Sequence, residues 1–261
     1  MKRRTFLYSL GLIVMTLPTS LFSKTELLRS KSRHVIKKGW MDIKQSFNYF
    51  DYDYADIMGF GMLRVIDAFS MGYLTGTPKH PHKNMEILTI VLEGTLFHQD
   101  STGNTGTLCR GDIQLMSAGK GIHHAETNPS QFDTLKGLQI WLSPKIRDTF
   151  PQYQQRHFKD TYFTNQLGLI FSQNPVKNVM SIKLDAKLYR ALSSKKMLYT
   201  VATDSKENGF YIFIIEGTVS VNSTMLHKGD GLGVSETKSI EIQANEKSDF
   251  LLFEIPMIGD F

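Results

Sequence analysis

Residues 87–97 read ILTIVLEGTLF, and residues 210–221 read FYIFIIEGTVSV. Each is a β-branched and aromatic run interrupted by Glu-Gly-Thr. A glycine inside such a run marks a bend or bulge in a strand. Ile215-Glu216-Gly217-Thr218 therefore echoes Leu92-Glu93-Gly94-Thr95, and a second turn repeats in the same order, as Arg110-Gly111-Asp112 and then Lys228-Gly229-Asp230. Gly103-Asn104 is a further turn signal, and residues 240–243 and 250–253 supply more short apolar strands. The repeated order predicts an all-β chain made of two tandem jelly-roll or barrel units. They join around 145–160, where Pro144 and Pro151 bracket a polar stretch.

Composition limits what such a chain can be. Of 261 residues, 41% are hydrophobic and 21% charged, which excludes wholesale disorder and a fibrous repeat. A single cysteine, Cys109, excludes an internal disulfide framework and any multi-cysteine zinc or iron–sulfur site, and is expected to be a small buried apolar group. The formal charge of +5 and the pI near 9.1 do not point to nucleic acid. Residues 1–23 hold Lys2, Arg3, Arg4 and no acid, so their removal leaves +2 and no basic stripe.

Those first residues have the layout of a targeting segment: a basic start, an apolar run from Phe6 to Leu17, then Pro18 and small polar residues to Ser23. The run is shorter than the roughly 20 residues a spanning helix needs. Arg3-Arg4-Thr5-Phe6-Leu7 resembles a twin-arginine export signal, with Tyr8 where a lysine is common. Export to the periplasm or beyond, with no stable membrane span after removal of residues 1–23, is the expectation, and a cytoplasmic protein the alternative.

Four of the eight histidines fall into two tight groups in the first repeat. His80-Pro81-His82 lies on extended chain, because Pro81 is incompatible with a helix interior. Residues two apart on a strand share a face, so both imidazoles can reach one metal, and Glu86 continues the parity. His124-Ala125-Glu126 repeats the device with an imidazole and a carboxylate. Three nitrogens and one oxygen suit a borderline divalent ion and leave coordination positions open. His34, His98, His157 and His227 have no ligand partner at short spacing and are expected to be surface or hydrogen-bonded residues. The second repeat, with His227 alone, cannot rebuild such a site.

Gly76-x3-His80-x-His82-x3-Glu86 followed by Gly94 resembles the first cupin motif. Gly111-x7-Gly119 followed by His124-x3-Asn128 resembles the second. The fuller strings HPHKNMEILTIVLEGT (80–95), HQDSTGN (98–104), MSAGKGIHHAETNPS (116–130) and LQIWLSP (138–144) resemble the pirin family of bicupins. So do FGMLRVIDAF (60–69), YQQRHF (153–158) and FLLFEIP (250–256). The resemblance implies two tandem cupins, at 34–150 with the metal and at 151–261 without ligands. It implies His80, His82, His124 and Glu126 as ligands. Generic cupins use a glutamate at the position of Glu86, whereas pirins do not, so Glu86 is expected just outside the ligands, orienting one imidazole. His123 is the alternative to His124, which strand parity and the spacing to Asn128 favour.

Pirin relatives are linked to quercetin 2,3-dioxygenase activity and to metal-dependent binding of protein partners. The resemblance thus implies one divalent ion per chain, Fe(2+) before Mn, Ni, Co, Cu or Zn. It implies a flavonol-like aromatic substrate with dioxygen, and a Glu126 that doubles as catalytic base. A monomer without nucleic-acid partners is expected. The alternative is a non-enzymatic, metal- or redox-responsive interaction module, against which the export signal weighs.

Overall fold

The computed structural model describes residues 23–47 and 59–257; the targeting segment expected at 1–23 lies outside the described residues, apart from Ser23. Among the described residues, twenty-two strands form four sheets, two of seven strands and two of four, and two single-turn 3-10 helices lie between strands. In the first half, Glu86–Glu93 and Leu135–Leu142 occupy the middle of a seven-stranded sheet, and Gly76–His82, Ile122–Thr127, Thr95–Asp100 and Thr105–Cys109 make the four-stranded one. The second half repeats the plan, with Asn208–Glu216 and Ser248–Pro256 central and Met197–Ala202, Ser239–Ala244, Thr218–Val221 and Thr224–His227 opposite. Two tandem cupin-type jelly rolls result.

The Glu-Gly-Thr echo is the corner of each unit. Glu86–Glu93 runs in the large sheet, and after Gly94 the chain continues as Thr95–Asp100 in the small one; Gly217 divides Asn208–Glu216 from Thr218–Val221 in the same way. Both glycines are left-handed, at φ +77° and +81°. A Cβ would lie 2.8 Å from the Thr134 carbonyl oxygen at Gly94 and 2.3 Å from that of Lys247 at Gly217. Only glycine combines that φ with so close a backbone neighbour.

Alternation along the strands builds three apolar layers. From Glu86–Glu93, Leu88 and Ile90 join Leu188, Phe213, Leu251 and Phe253 of the second half in a core shared by the two large sheets. Ile87 and Val91 face the other way, into the first sandwich. Two strands cross the expected division of the chain. Lys24–Leu28 pairs with Gly231–Ser235 of the second unit, and Gln152–His157, beyond the expected boundary at 150/151, pairs with Asp112–Ser117 of the first.

The two sandwich interiors differ in kind. In the second, Ile212, Ile214, Val219, Leu232, Ile242 and Leu252 belong to one continuous apolar cluster. In the first, the apolar residues divide into one cluster around Ile87, Met116 and Trp141 and another around Phe69, Val91 and Leu135. The same interior also holds buried polar side chains: His98, Gln114, Thr89, His124 and Glu126.

Candidate metal centre

On Gly76–His82 the side chains alternate, Lys79 and Pro81 outward and exposed, His80 and His82 inward and half-buried. Ile122–Thr127 is the neighbouring strand, and its antiparallel register sets His124 directly across from His80. The three imidazoles converge, with ring centroids 4.4 Å apart for His80 and His124, 4.8 Å for His80 and His82, and 4.9 Å for His82 and His124. One ligand atom from each lies within 4.8 Å of the others. Trp141 closes the set, its ring 5.0 Å from that of His82 and edge-on to it.

The ring nitrogens are in the form a metal needs. His80 Nδ1 donates to the Pro78 carbonyl oxygen at 2.9 Å, so Nε2 is the nitrogen it would offer to an ion. Burial pushes His124 down to about 2 and His82 down to about 4, with the neighbouring histidines adding to both, so each is a neutral imidazole at pH 7. His82 Nε2 and both nitrogens of His124 are buried without a hydrogen-bond partner among the described residues. Orphaned buried nitrogens are costly, and a coordinated cation removes that cost. The donor set therefore fits a borderline divalent ion.

Glu126 lies in the same interior on a different footing. It groups within 4.8 Å with His124 and His98, and not with His80 and His82. Its Oε1 accepts from Gln114 Nε2 at 2.9 Å and Thr89 Oγ1 at 3.2 Å, and its Oε2 from Gln139 Nε2 at 2.8 Å. Tyr153 extends the network, donating its hydroxyl to Gln114 Oε1 at 3.3 Å. Burial, with the charges of Asp100 and Glu126, raises the Tyr153 hydroxyl, which stays protonated.

Two expectations need correction, for Glu86 and Cys109, and a third, for His98, is met in its buried form. Glu86 does not orient a ligand imidazole: it shares the parity of Leu88 and Ile90, faces the core between the units, and accepts from Ser117 Oγ at 2.6 Å. The parity argument from His80 and His82 failed because the strand ends at His82 and a new one begins at Glu86, with Asn84 left-handed between them. His98, expected to be a surface or hydrogen-bonded residue, is the second, with its Nε2 3.5 Å from Asp100 Oδ2. It is fully buried, stacked on Tyr153 with centroids 4.9 Å apart, and its ring lies 5.4 Å from that of His124. Cross-strand pairing with Glu126 puts it there, and spacing along the chain could not reveal that. Cys109 is exposed at the end of Thr105–Cys109, where Leu108 takes the buried position.

The remaining candidates are plainly placed. His123 is exposed on the outer face of its strand. Asn128 anchors a loop, its Nδ2 donating to the carbonyl oxygens of Met71, Gly72 and Asp133. His157 meets Asp112 at 2.9 Å and His227 is exposed beside Thr218, both away from the cluster. Gln114, Gln139, Thr89 and Tyr153 were not singled out by sequence; for the first three, a polar residue between apolar neighbours was the available signal. Among the described residues, both candidate ligand groups lie in the first unit.

Comparison with known proteins agrees with this arrangement. Residues 28–142 match the family described as Pirin, and residues 169–255 match the one described as Quercetinase C-terminal cupin domain. A protein named quercetin 2,3-dioxygenase from Escherichia coli is 36% identical over 89% of this chain and 99% of its own length. One named putative quercetin 2,3-dioxygenase, from Pasteurella multocida, is 35% identical over 87% of this chain and 96% of its own. Among solved structures, the bacterial pirin YhhW of Escherichia coli in complex with nickel(II) aligns with a TM-score of 0.84 at 34% identity. That alignment covers 90% of this chain and all of the other.

Proposed function

The chain belongs to the pirin family, and from that premise we propose that it is a metal-dependent dioxygenase acting on a quercetin-like flavonol. One divalent ion would be held by His80, His82 and His124, with Glu126 as fourth ligand and proton acceptor. Fe(2+) is the proposed ion for turnover; imidazole ligands also suit Ni(2+) and by intrinsic affinity favour it over Fe(2+). The observation that carries the reading is the convergence of three imidazoles, with orphaned nitrogens on His82 and His124, set beside a carboxylate held by three donors. The names of the relatives supply the substrate class.

When bound, the ion supplies a Lewis acid for substrate oxygens and a redox partner for dioxygen. The chain's own residues do the rest. Gln114 and Thr89 occupy Glu126 Oε1, and Gln139 takes one position on Oε2, which leaves one position there, for the ion or for the proton of a flavonol hydroxyl but not for both at once. Three donors also hold the carboxylate in one orientation, so it need not reorganise when the proton arrives. Trp141 stands against His82 and packs with Val65, Met85, Ile87 and Met116, an apolar side that would keep water from the ion. His80 and His82 are its half-exposed members, so the substrate enters from their side.

Export by the segment 1–23 belongs to the same proposal. The twin-arginine pattern supports it, and both family matches begin after residue 27. The test of function is oxygen uptake with quercetin by protein loaded with one divalent ion at a time. Uptake with at least one ion, abolished by His82→Ala, is expected. No uptake with Fe, Mn, Co, Ni or Cu would refute the dioxygenase reading and leave the metal-responsive interaction module in its place.

A further inference from the structure

One large opening in the molecule is not at the histidines. A cavity of about 1030 Å³ lies in the cleft between the two units, and none of His80, His82, His98, His124 or Glu126 lines it. Both copies of the internal repeat contribute the same parts to its wall. Glu93 and Arg110 come from the first copy and Glu216 and Lys228 from the second, the residues of the repeated bend and turn. Its floor is the margin of the shared core, where Ala68 and Leu92 of the first unit and Leu192 and Ile215 of the second remain only partly buried.

The charges around that floor do not cancel. Eight cationic and five anionic side chains line the cavity, and all five carboxylates are already in ion pairs with lining cations. Arg33, Lys44 and Lys247 have no carboxylate within ion-pair distance among the described residues. Arg33 is the informative one. Only 5% exposed, it lies over the Phe213 ring at 5.0 Å, and its Nη2 donates to the carbonyl oxygens of Ile66 and Lys44. Its Nε is buried with no hydrogen-bond partner among the described residues. Asp67 acts on this guanidinium through space without forming an ion pair with it, so donor capacity is left over that an anion in the cavity would meet.

We propose that this cleft is a binding site for an organic anion with an apolar body, an aromatic or aliphatic carboxylate or sulfonate, separate from the metal centre. The acid group would meet Arg33 and Lys44, and the body would cover Leu92 and Ile215 at the margin of the two sheets. The volume is at the upper end for small-molecule pockets, and a few charged groups over an apolar floor are the usual lining of such sites. Placing the ligand on both units ties their relative position to its presence.

The test uses metal-loaded full-length protein and the fluorescent sulfonate 1-anilinonaphthalene-8-sulfonate as probe. Saturable binding at one site per chain is expected, displaced by dodecanoate and not by dodecyltrimethylammonium. Lys44→Glu combined with Lys247→Glu changes two exposed residues and should weaken the probe at least tenfold with melting temperature and metal content unchanged. Lys247→Glu alone, read the same way, serves should the pair fold poorly. His82→Ala should leave probe binding intact. The proposal is overturned by an absence of saturable binding, by equal displacement with the cationic amphiphile, by an affinity indifferent to charge reversal, or by loss of binding in His82→Ala, which would place the probe at the metal centre.

Discussion

Replacing Glu126 with glutamine separates the two duties assigned to it. In the native site Gln114 cannot turn its amide freely, because Oε1 accepts from Tyr153 while Nε2 donates to both Glu126 and Thr89. A glutamine at 126 must therefore keep its oxygen toward Gln114, and its new amide nitrogen faces Gln139 Nε2, now 2.8 Å from Oε2. Two donors would meet, a conflict of about 1–3 kcal/mol that rotation of the Gln139 amide relieves. The fold should survive, and the three histidines should retain most of the ion. The lost item is the basic carboxylate. General base catalysis typically supplies about 10²–10⁴-fold, or about 3–5 kcal/mol of barrier, so flavonol oxygenation should fall by that factor. The assay is oxygen uptake at saturating quercetin, normalised to metal content measured on the same sample. Glu86→Gln is the control: its carboxylate bonds Ser117 on the opposite face of the strand, and activity should stay within about threefold of wild type. Glu126→Gln within tenfold of wild type at full metal content would refute the base; loss of metal in Glu86→Gln with activity kept in Glu126→Gln would refute the ligand set itself.

Elemental analysis should find about one divalent ion per chain; His82→Ala should empty the site with the β-fold kept, and His227→Ala should change nothing, whereas two ions in separate units would contradict the apolar interior of the second. Asp67 predicts a pH effect on stability. Burial, opposed by Gln45 and the charge of Arg33, raises it from 3.8 to about 7 in the folded protein, so its contribution is fully present below pH 4 and is lost as pH rises through about 7. The loss is about 4 kcal/mol at most by pH 8. Asp67→Asn should accordingly gain on wild type in thermal melts between pH 5 and pH 8, and a difference flat across that range would contradict the sign. For export, Arg3→Lys with Arg4→Lys should leave unprocessed precursor in the cytoplasm; continued export would point to the general secretory route.

How much of this was legible in the sequence follows from what each inference needed. The corners of both units could be read because a left-handed glycine inside a strand leaves its signature in one residue and its neighbours, at Gly94 and again at Gly217. His80 and His82 could be read for the same reason: two residues apart on one strand is a local relation. Glu86 was misread when that relation was carried across Asn84, where the strand is interrupted and the phase restarts. His98 and the donors to Glu126 needed register between strands up to 37 residues apart in sequence, as Thr89 and Glu126 are, and register is set by the whole sheet.

The same reasoning explains why two copies of one fold carry different interiors. A jelly roll closes its inner space with side chains from alternate strand positions. In the second copy those positions hold Ile212, Ile214, Val219 and Ile242, each contributing about 1.5–3 kcal/mol by leaving water. In the first copy the corresponding space holds imidazoles, two glutamines and a carboxylate, which contribute little by burial and cost much where unpaired. The first unit therefore gives up apolar stabilisation to keep a polar interior. The core shared between the large sheets, with Leu88 and Ile90 on one side and Leu188, Phe213 and Phe253 on the other, joins it to a copy that made no such sacrifice. On that argument the second unit's contribution to the chemistry is mechanical. It stabilises a sandwich whose interior is held open for an ion, and removal of the ion should lower the melting temperature of the first unit's transition more than that of the second.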